Sequence, residues 1–187
     1  MEVNFIMVRN SKTMSVVVAG LLCAIGIVVP MFMPRVTLGP MSFTLASHVA
    51  IFIAMFISPG TAVAVSIGTT IGFFMTAPPI IALRAASHIV FAYLGAIYLV
   101  KKPETLKKPL PLLAWGAILA LIHGVSVVLI VTPVFLGGSM FSEAQLANGF
   151  VMSVVVLVGV GTVIHSMIDL GISLIIWKPL EKSFKRA

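Results

Sequence analysis

The chain has 187 residues, of which 60% are hydrophobic and 9% are charged, whereas soluble domains average about 45 to 50% apolar and about 25% charged residues. This composition excludes an ordinary soluble domain. It predicts an all-α integral membrane protein, because only helices and closed barrels satisfy their own backbone polar groups in lipid. The net charge of +7 would also suit a nucleic-acid-binding protein, but most of the basic residues flank apolar segments, which argues against nucleic acid as a partner.

Six apolar segments, separated by turn signals or polar loops, predict a bundle of six transmembrane helices in a single membrane domain, residues 1–187. One crossing takes roughly 20 residues. The approximate ranges are 14–33, 41–57, 60–76, 80–100, 110–131 and 149–177. Arg9 and Lys12 precede the first segment as in a signal peptide, but no cleavage pattern closes it, so we expect this segment to be retained.

The distribution of basic residues predicts the orientation of the bundle. Ten of the twelve lie before the first segment, in the loop at 101–108, or in the tail after residue 177. The positive-inside rule then places both termini in the cytoplasm, which requires an even number of crossings.

Ionisable side chains inside apolar segments identify a candidate site, because at a span centre they cost about 2.5 to 3.5 kcal/mol and usually serve a function. Arg84 and His88 lie four residues apart on the fourth segment, hence on one helical face. His48 lies near the outer end of the second segment, and His123 lies on the outer side of the midpoint of the fifth, so both are expected at outer or middle depth in the membrane. If these helices face one another, the four side chains line a polar cavity with Asn148 at its rim. An arginine in such a place favours a carboxylate ligand.

Structural alternatives exist for each of these residues. Arg84 could instead reach the lipid headgroups, and the histidines could bond backbone carbonyls between helices. His165 and Asp169, again four apart, are expected to pair with each other, or else to take part in a proton-coupled step. The sequence contains no His-x3-His or cysteine cluster, so we expect no metal site.

Motifs of enzymatic chemistry are absent from the sequence. No Gly-x4-Gly-Lys-Ser/Thr stretch occurs, so the chain lacks that route to ATP hydrolysis. Ser87 and His88 are adjacent, but adjacent helical residues point apart and do not form a catalytic pair. With Cys23 as its one cysteine, the chain forms no intrachain disulfide. We expect neither enzyme activity nor a cofactor.

Small residues recur every four positions on the first segment. Ser15, Ala19 and Cys23 form one such row, and Gly20 and Ala24 form another on a neighbouring face. Such rows let helices approach closely in lipid. They indicate either packing inside the bundle or a docking surface for another membrane subunit.

These features together resemble the substrate-binding S components of energy-coupling factor (ECF) vitamin transporters, over essentially the whole chain. The stretches that carry the resemblance are Leu38-Gly39-Pro40, Ser58-Pro59-Gly60 and Gly20-x3-Ala24. The last departs from the Ala-x3-Ala typical of the family, although its residues are also small.

The resemblance implies a vitamin-capture subunit of the bacterial plasma membrane that docks on a transmembrane T subunit and two ATPases. It implies an outward-facing pocket lined by Arg84, His88, His123, Asn148 and His48. It also implies a gate loop, comprising Pro34, Arg35, Leu38, Gly39 and Pro40, and a docking surface, comprising Ser15, Ala19, Gly20, Cys23 and Ala24.

The vitamin is the least constrained part of this prediction. Residues 46–59 and 83–88 look most like the pantothenate-type S component, and one buried cation suits the single carboxylate of pantothenate. The alternative is a nicotinate-specific S component. Two other classes stay open: a proton-coupled secondary carrier, although such carriers usually show internal repeats, and a structural subunit that binds no small molecule.

Overall fold

The computed structural model describes residues 12–138 and 140–184, so Arg9, Lys185 and Arg186, which enter the orientation argument, lie outside the described residues. Long helices dominate it. The elements in chain order are α1 (Lys12–Phe32), β1 (Arg35–Leu38), β2 (Met41–Thr44), α2 (Val49–Ile57), α3 (Pro59–Thr76), α4 (Pro79–Ala86), α5 (His88–Lys101), a 3-10 helix (Pro103–Lys107), α6 (Pro109–Leu136), α7 (Glu143–Ala147), a π-helix (Val151–Val160) and α8 (Gly161–Phe184).

Five helical stretches of the described chain are long and apolar enough to cross a membrane. The third joins α4 to α5 and the fifth joins the π-helix to α8. The five are Met14–Phe32, Pro59–Thr76, Pro79–Lys101, Pro109–Leu136 and Val151–Glu181. They support the prediction of an all-α membrane protein and correspond to five of the six predicted segments.

The remaining predicted segment, 41–57, is not a membrane-length helix, and this corrects the sequence analysis. Its first four residues form β2, which pairs antiparallel with β1 so that Arg35 lies opposite Thr44 and Leu38 opposite Met41. Gly39 turns the chain between them with φ of 57°, a left-handed conformation that glycine adopts without steric cost. The apolar run at 41–57 therefore contains a change of backbone conformation that hydropathy alone does not reveal.

Helix α2 keeps only nine residues of this segment, and all nine are buried. It lies against α1, α3, α5 and α8, so no side of it faces lipid. A helix that is apolar all round suits such a central position. Ser58 ends it and begins α3 at once, since its hydroxyl oxygen accepts a hydrogen bond from the Thr61 N–H at 3.1 Å.

The two ends of the bundle differ in composition. We call the end that carries the β-hairpin, the last turns of α1 and α3 and the start of α4 the hairpin end. The opposite end, the lysine end, carries Lys101, Lys102, Lys107 and Lys108. The lysines of the loop at 101–108 thus lie at one end of the bundle, as the orientation prediction requires. The side of the membrane that each end faces stays a prediction.

The small-residue rows of α1 divide between two environments. Cys23 packs on Gly68 of α3, and Gly26 packs on Thr69, so this row lies inside the bundle; Ser15 and Ala19 are half-buried beside it. Gly20 and Ala24 are exposed, and a methyl group built on Gly20 would meet no atom within 4 Å. Only the second row is available to a partner.

Candidate substrate-binding site

A cavity of about 80 Å³ opens at the hairpin end. The elements that surround it are the end of α1, both strands, the residues before α2, and parts of α3, α4, α5, α6 and α8. Its lining residues are Pro30, Met31, Arg35, Ser42, Phe43, Thr44, Ser47, His48, Phe73, Thr76, Ala77, Ile81, Arg84, Ala85, His88, His123, Val127, Thr162 and His165. Such a volume lies well below the roughly 300 to 1,000 Å³ of pockets for drug-sized ligands, so it suits a small ligand.

Three buried histidines from separate parts of the chain meet beside this cavity. The ring centroid of His48 lies 4.8 Å from that of His88 and 4.8 Å from that of His123, while His88 and His123 are 5.0 Å apart. Their positions in the sequence predict that these three side chains share one polar cavity, and the structure brings them together. A fourth, His165, joins them with its ring 4.6 Å from that of His48.

Arg84 supplies a positive charge to the same cavity. Its Nη1 donates a hydrogen bond to the backbone oxygen of Ser42 at 3.1 Å, so the guanidinium points toward strand β2 at the cavity. Residues 12–138 and 140–184 include no acidic side chain in an ion pair with it. Arg35 also lines the cavity, and a site with two cations and no paired carboxylate on either favours an anionic ligand.

The continuous helix expected at 80–100 is interrupted between these two site residues, Arg84 and His88. Helix α4 ends at Ala86 and α5 begins at His88, and the Ser87 hydroxyl donates to the Arg84 carbonyl at 2.7 Å. A serine hydroxyl that competes for a helical carbonyl often bends the helix at that point. Both side chains nevertheless reach the cavity.

Asp169 of α8 connects the last helix to the residues before α2. Its carboxylate accepts hydrogen bonds from the backbone N–H groups of Ala46 at 2.8 Å and His48 at 2.9 Å. It also accepts a hydrogen bond from His48 Nδ1 at 3.0 Å, and His165 Nε2 lies 3.1 Å from one of its oxygens. The expected pair between His165 and Asp169 is confirmed, and the carboxylate additionally holds Ala46 in a left-handed conformation with φ of 67°.

Strand β2 covers the cavity from the hairpin side. Phe43 stacks on the ring of His165 with centroids 4.6 Å apart, and His165 Nε2 donates to the Thr44 carbonyl at 3.1 Å. Of the predicted gate loop, Arg35 lines the cavity, whereas Pro34, Leu38, Gly39 and Pro40 do not, because they form the start and the tip of the hairpin. The role of this loop as a gate stays a prediction.

Asn148 is the one predicted pocket residue that does not reach the cavity. It is exposed at the end of α7. A capping box explains this, since the Ser142 hydroxyl accepts from the Gln145 N–H and the Gln145 side chain accepts from the Ser142 N–H at 2.9 Å. That reciprocal cap fixes a short separate helix here, so the loop does not fold over the cavity.

Two buried polar atoms at the cavity have no hydrogen-bond partner within the described chain. They are His88 Nδ1 and Thr162 Oγ1, and both residues line the cavity. An unpaired buried polar group costs about 1 to 3 kcal/mol, so two of them beside an open space indicate a place where a ligand makes the missing bonds.

Sequence reasoning missed several lining residues, namely Ser42, Phe43, Thr44, Ser47, Thr162 and His165. His165 was predicted only as a partner of Asp169 and was not included among the residues of the cavity. Its spacing of four from Asp169 and the alternation of small and apolar residues at 41–44 were the available signals. Neither signal specifies that these residues meet at one cavity.

Comparison with known proteins finds a relative along nearly the whole chain. The niacin transporter NiaX of Lactococcus lactis subsp. cremoris (strain MG1363) is 34% identical over 185 residues, which make up 98% of this chain and 82% of that protein. No protein-family model matches the chain, and no solved structure matches it. The match to NiaX is long enough to include both ends of the bundle.

Proposed function

We propose, from the premise that this chain belongs to the same family as the niacin transporter NiaX, that it is the substrate-binding S component of an ECF-type transporter and captures nicotinate. The relative favours nicotinate over pantothenate, the vitamin suggested by local sequence resemblance. The proposal places the protein in a bacterial cell membrane as a subunit of a larger complex.

The observation that carries the proposal is the positive charge at a small, largely apolar-walled cavity. Arg84 has no acidic partner in the described chain and lines the cavity with Arg35. Nicotinate has one carboxylate, and a guanidinium binds a carboxylate through two parallel hydrogen bonds. Arg84 already gives one N–H to Ser42, which orients the guanidinium and leaves its other N–H groups for the ligand.

Cavity size and aromatic lining also support nicotinate. A space of about 80 Å³ suits a single flat ring better than the longer, branched chain of pantothenate. Phe43 and the histidine rings offer aromatic faces and edges against which a pyridine ring can stack. The unpaired His88 Nδ1 and Thr162 hydroxyl lie where the ring nitrogen or the carboxylate can meet them.

Energy for uptake would come from other chains. The sequence has no P-loop, so we propose docking to a transmembrane T subunit and two ATPases. The exposed row at Gly20 and Ala24 would form part of the docking surface, because small residues let a partner helix approach closely. Ser15, Ala19 and Cys23 face the bundle and would contribute less.

The carrier alternative is less well supported. A proton-coupled step would use His165 and Asp169, yet the carboxylate of Asp169 is buried, accepts three hydrogen bonds and has His165 Nε2 3.1 Å away. Such a group holds the structure together and is not free to exchange protons with a passing substrate. Uptake that continues after the partner ATPases are inactivated would favour the carrier.

Calorimetry on the purified chain in detergent tests the proposal. We expect nicotinate to bind at one site per chain, with pantothenate, folate and riboflavin failing to compete. Arg84→Gln should weaken nicotinate binding about 100-fold, as expected for a buried charge pair, while Arg35→Gln, at the more exposed cation, should have a smaller effect. Equal binding by the wild type and Arg84→Gln would contradict this assignment of the site.

A further inference from the structure

Three histidine side chains are close enough to act as ligands of one ion. The candidate donor atoms of His48, His88 and His123 lie within 4.8 Å of one another, and all three residues are buried. A zinc-type ion with bonds to nitrogen of about 2.0 to 2.1 Å needs donors about 3.4 Å apart. Binding of an ion would therefore draw the donor atoms closer together than they are in this structure.

The hydrogen bonds around these rings leave the correct atoms free. His48 Nδ1 lies 3.0 Å from a carboxylate oxygen of Asp169, and because a carboxylate only accepts hydrogen bonds, Nδ1 carries the proton and the lone pair is on His48 Nε2. His123 Nδ1 lies 2.8 Å from the Ser166 hydroxyl, and when Nδ1 donates to this hydroxyl oxygen, the lone pair is on Nε2 of His123. A carboxylate on the far nitrogen, as at His48, is a usual support of a metal-binding histidine, because it fixes the tautomer and the ring orientation.

His88 provides a separate indication of a ligand. Its Nδ1 is buried without a hydrogen-bond partner among the described residues, while its ring is edge-on to both His48 and His123. A histidine present only for packing would gain stability from a hydrogen bond at that atom, whereas a bound ion or a molecule coordinated to one satisfies it directly.

We propose that His48, His88 and His123 bind a divalent transition-metal ion, with at least one coordination position open toward the cavity. Imidazole ligands suit zinc, copper, nickel and iron, and three protein ligands with an open position leave room for an exchangeable ligand. The sequence predicted no metal site, because no two histidines are close together in it. Sequence spacing detects only ligands within one helix, whereas these three histidines come from separate segments.

Charge couples this ion to the anion of the proposed function. The three neutral imidazoles do not offset the charge of the ion, and Asp169 supplies one negative charge behind His48. A carboxylate in the cavity would supply another and would also contact Arg84. The metal site stands without the proposed function, but coordination of nicotinate by the ion rests on it, and metal and nicotinate should then increase each other's affinity equally.

Metal content of the purified protein tests the site without any vitamin present. After chelation and dialysis, the chain is titrated with Zn²⁺ or Co²⁺ alone, and bound metal is counted by mass spectrometry. We expect one ion per chain and a Co²⁺ absorption spectrum that indicates a bound ion of low coordination number. X-ray absorption spectra should show nitrogen neighbours at about 2.0 to 2.1 Å from the metal. A protein that binds no stoichiometric ion, or binds one through oxygen alone, would overturn the proposal.

Variants separate these histidines from their surroundings. His88→Gln and His123→Gln should each weaken Zn²⁺ binding about 100-fold or more, with folding checked by thermal melting. The control Ser126→Ala changes a hydroxyl of α6 that bonds the Ile122 carbonyl and does not line the cavity, so it should bind Zn²⁺ as the wild type does. Unchanged affinity for Zn²⁺ in both histidine variants would contradict the site.

Arg84→Gln should keep Zn²⁺ but lose nicotinate, so failure of the metal site and failure of the vitamin assignment give different results. Nicotinate affinity that is equal with and without bound metal would overturn coordination of the vitamin by the ion.

Discussion

The two ends of the bundle place opposite kinds of side chain at their centres. The hairpin end has four histidines, Asp169 and two arginines around an open cavity. The lysine end is filled by aromatic rings: Phe56 lies between Trp115 and Trp177, with ring centroids 6.3 Å and 5.4 Å away. The hairpin end combines an open cavity with two unpaired buried polar atoms that line it, whereas at the lysine end the buried Trp115 Nε1, also unpaired within the described chain, lies among packed aromatic rings.

Because of this difference, the residues that stabilise the fold and the residues expected to bind the ligand lie in different parts of one short chain. Empty volume and unsatisfied polar groups reduce stability, so a site that keeps both must rest on a part of the fold that is well packed. Helix α2 joins the two, because His48 at its start belongs to the site while Phe52 and Phe56 further along belong to the aromatic core. Substitutions at each end should therefore have separable effects, and Asp169, which ties α8 to the start of α2, should be the exception.

The largest expected effect is that of Asp169→Ala, which should reduce stability and binding together. It leaves the N–H groups of Ala46 and His48 and two imidazoles without their common acceptor. Loss of one partner from a buried charged network costs about 3 to 5 kcal/mol. Unfolding in mixed micelles and calorimetry with nicotinate would measure the two effects, and a variant that loses only binding would show that the carboxylate does not support the fold.

Phe56→Ala should reduce stability alone. Removal of a buried aromatic ring leaves a cavity between two tryptophans and should cost about 3 kcal/mol, the lower end of the usual range, because apolar transfer contributes less in lipid than in water. The dissociation constant for nicotinate should stay within about twofold of the wild type, which is small beside the tenfold change that 1.4 kcal/mol produces. Phe74→Ala, at an exposed ring of α3, is the matched control and should change neither quantity. Weaker binding in Phe56→Ala would show that the two ends are coupled.

Phe43→Leu should reduce binding alone, by a smaller amount. It keeps an apolar side chain on β2 but removes the ring stacked on His165. Aromatic pairs contribute about 0.5 to 1.5 kcal/mol beyond their area, so the dissociation rate of nicotinate should rise roughly 2- to 10-fold. Stopped-flow displacement would measure that rate. If the rate is unchanged, strand β2 does not act as the cover of the cavity.

Gly20→Leu should change neither end of the isolated protein, since an added side chain at that position would meet open space. Its effect should appear only in the assembled transporter, where the bulkier residue would keep a partner helix at a distance. Co-purification with the T subunit measures this, with Val17→Leu, also on the exposed face of α1, as the control. If Gly20→Leu assembles normally with the T subunit, the docking surface does not include this row.

Much of the bundle could be predicted because apolar length is a direct physical requirement of spanning lipid. The segments at 14–33, 60–76, 80–100, 110–131 and 149–177 all correspond to long helices. The segment at 41–57 could not be resolved in the same way. Hydropathy measures preference for an apolar environment and does not distinguish a lipid-facing helix from a hairpin followed by a short buried helix. The four-residue runs on either side of Gly39-Pro40 carry only a weak strand signal.

The site was predictable as a set of costly residues but not as a geometry. Arg84, His48, His88 and His123 stand out because ionisable groups are rare inside apolar segments, and they do meet. The depth of His165 could not be read, since the chain before it includes a π-helix, Val151–Val160, whose wider turns change the relation between sequence position and height. Asn148 was placed wrongly because the capping box at Ser142 was not recognised.

The shortness of α2 determines how a ligand can travel through the molecule. Nine residues extend only about 13 Å at 1.5 Å per residue, less than half of a bilayer core of about 30 Å. The cavity lies beyond the N-terminal end of this helix, at His48, while the helix itself is buried on all sides and lined by apolar residues. Within the described chain, a molecule that enters past the hairpin therefore reaches a floor formed by this buried helix. The uptake of nicotinate proposed above would then require α2 to move aside, or the whole bundle to change its position, while the ligand stays where it first bound.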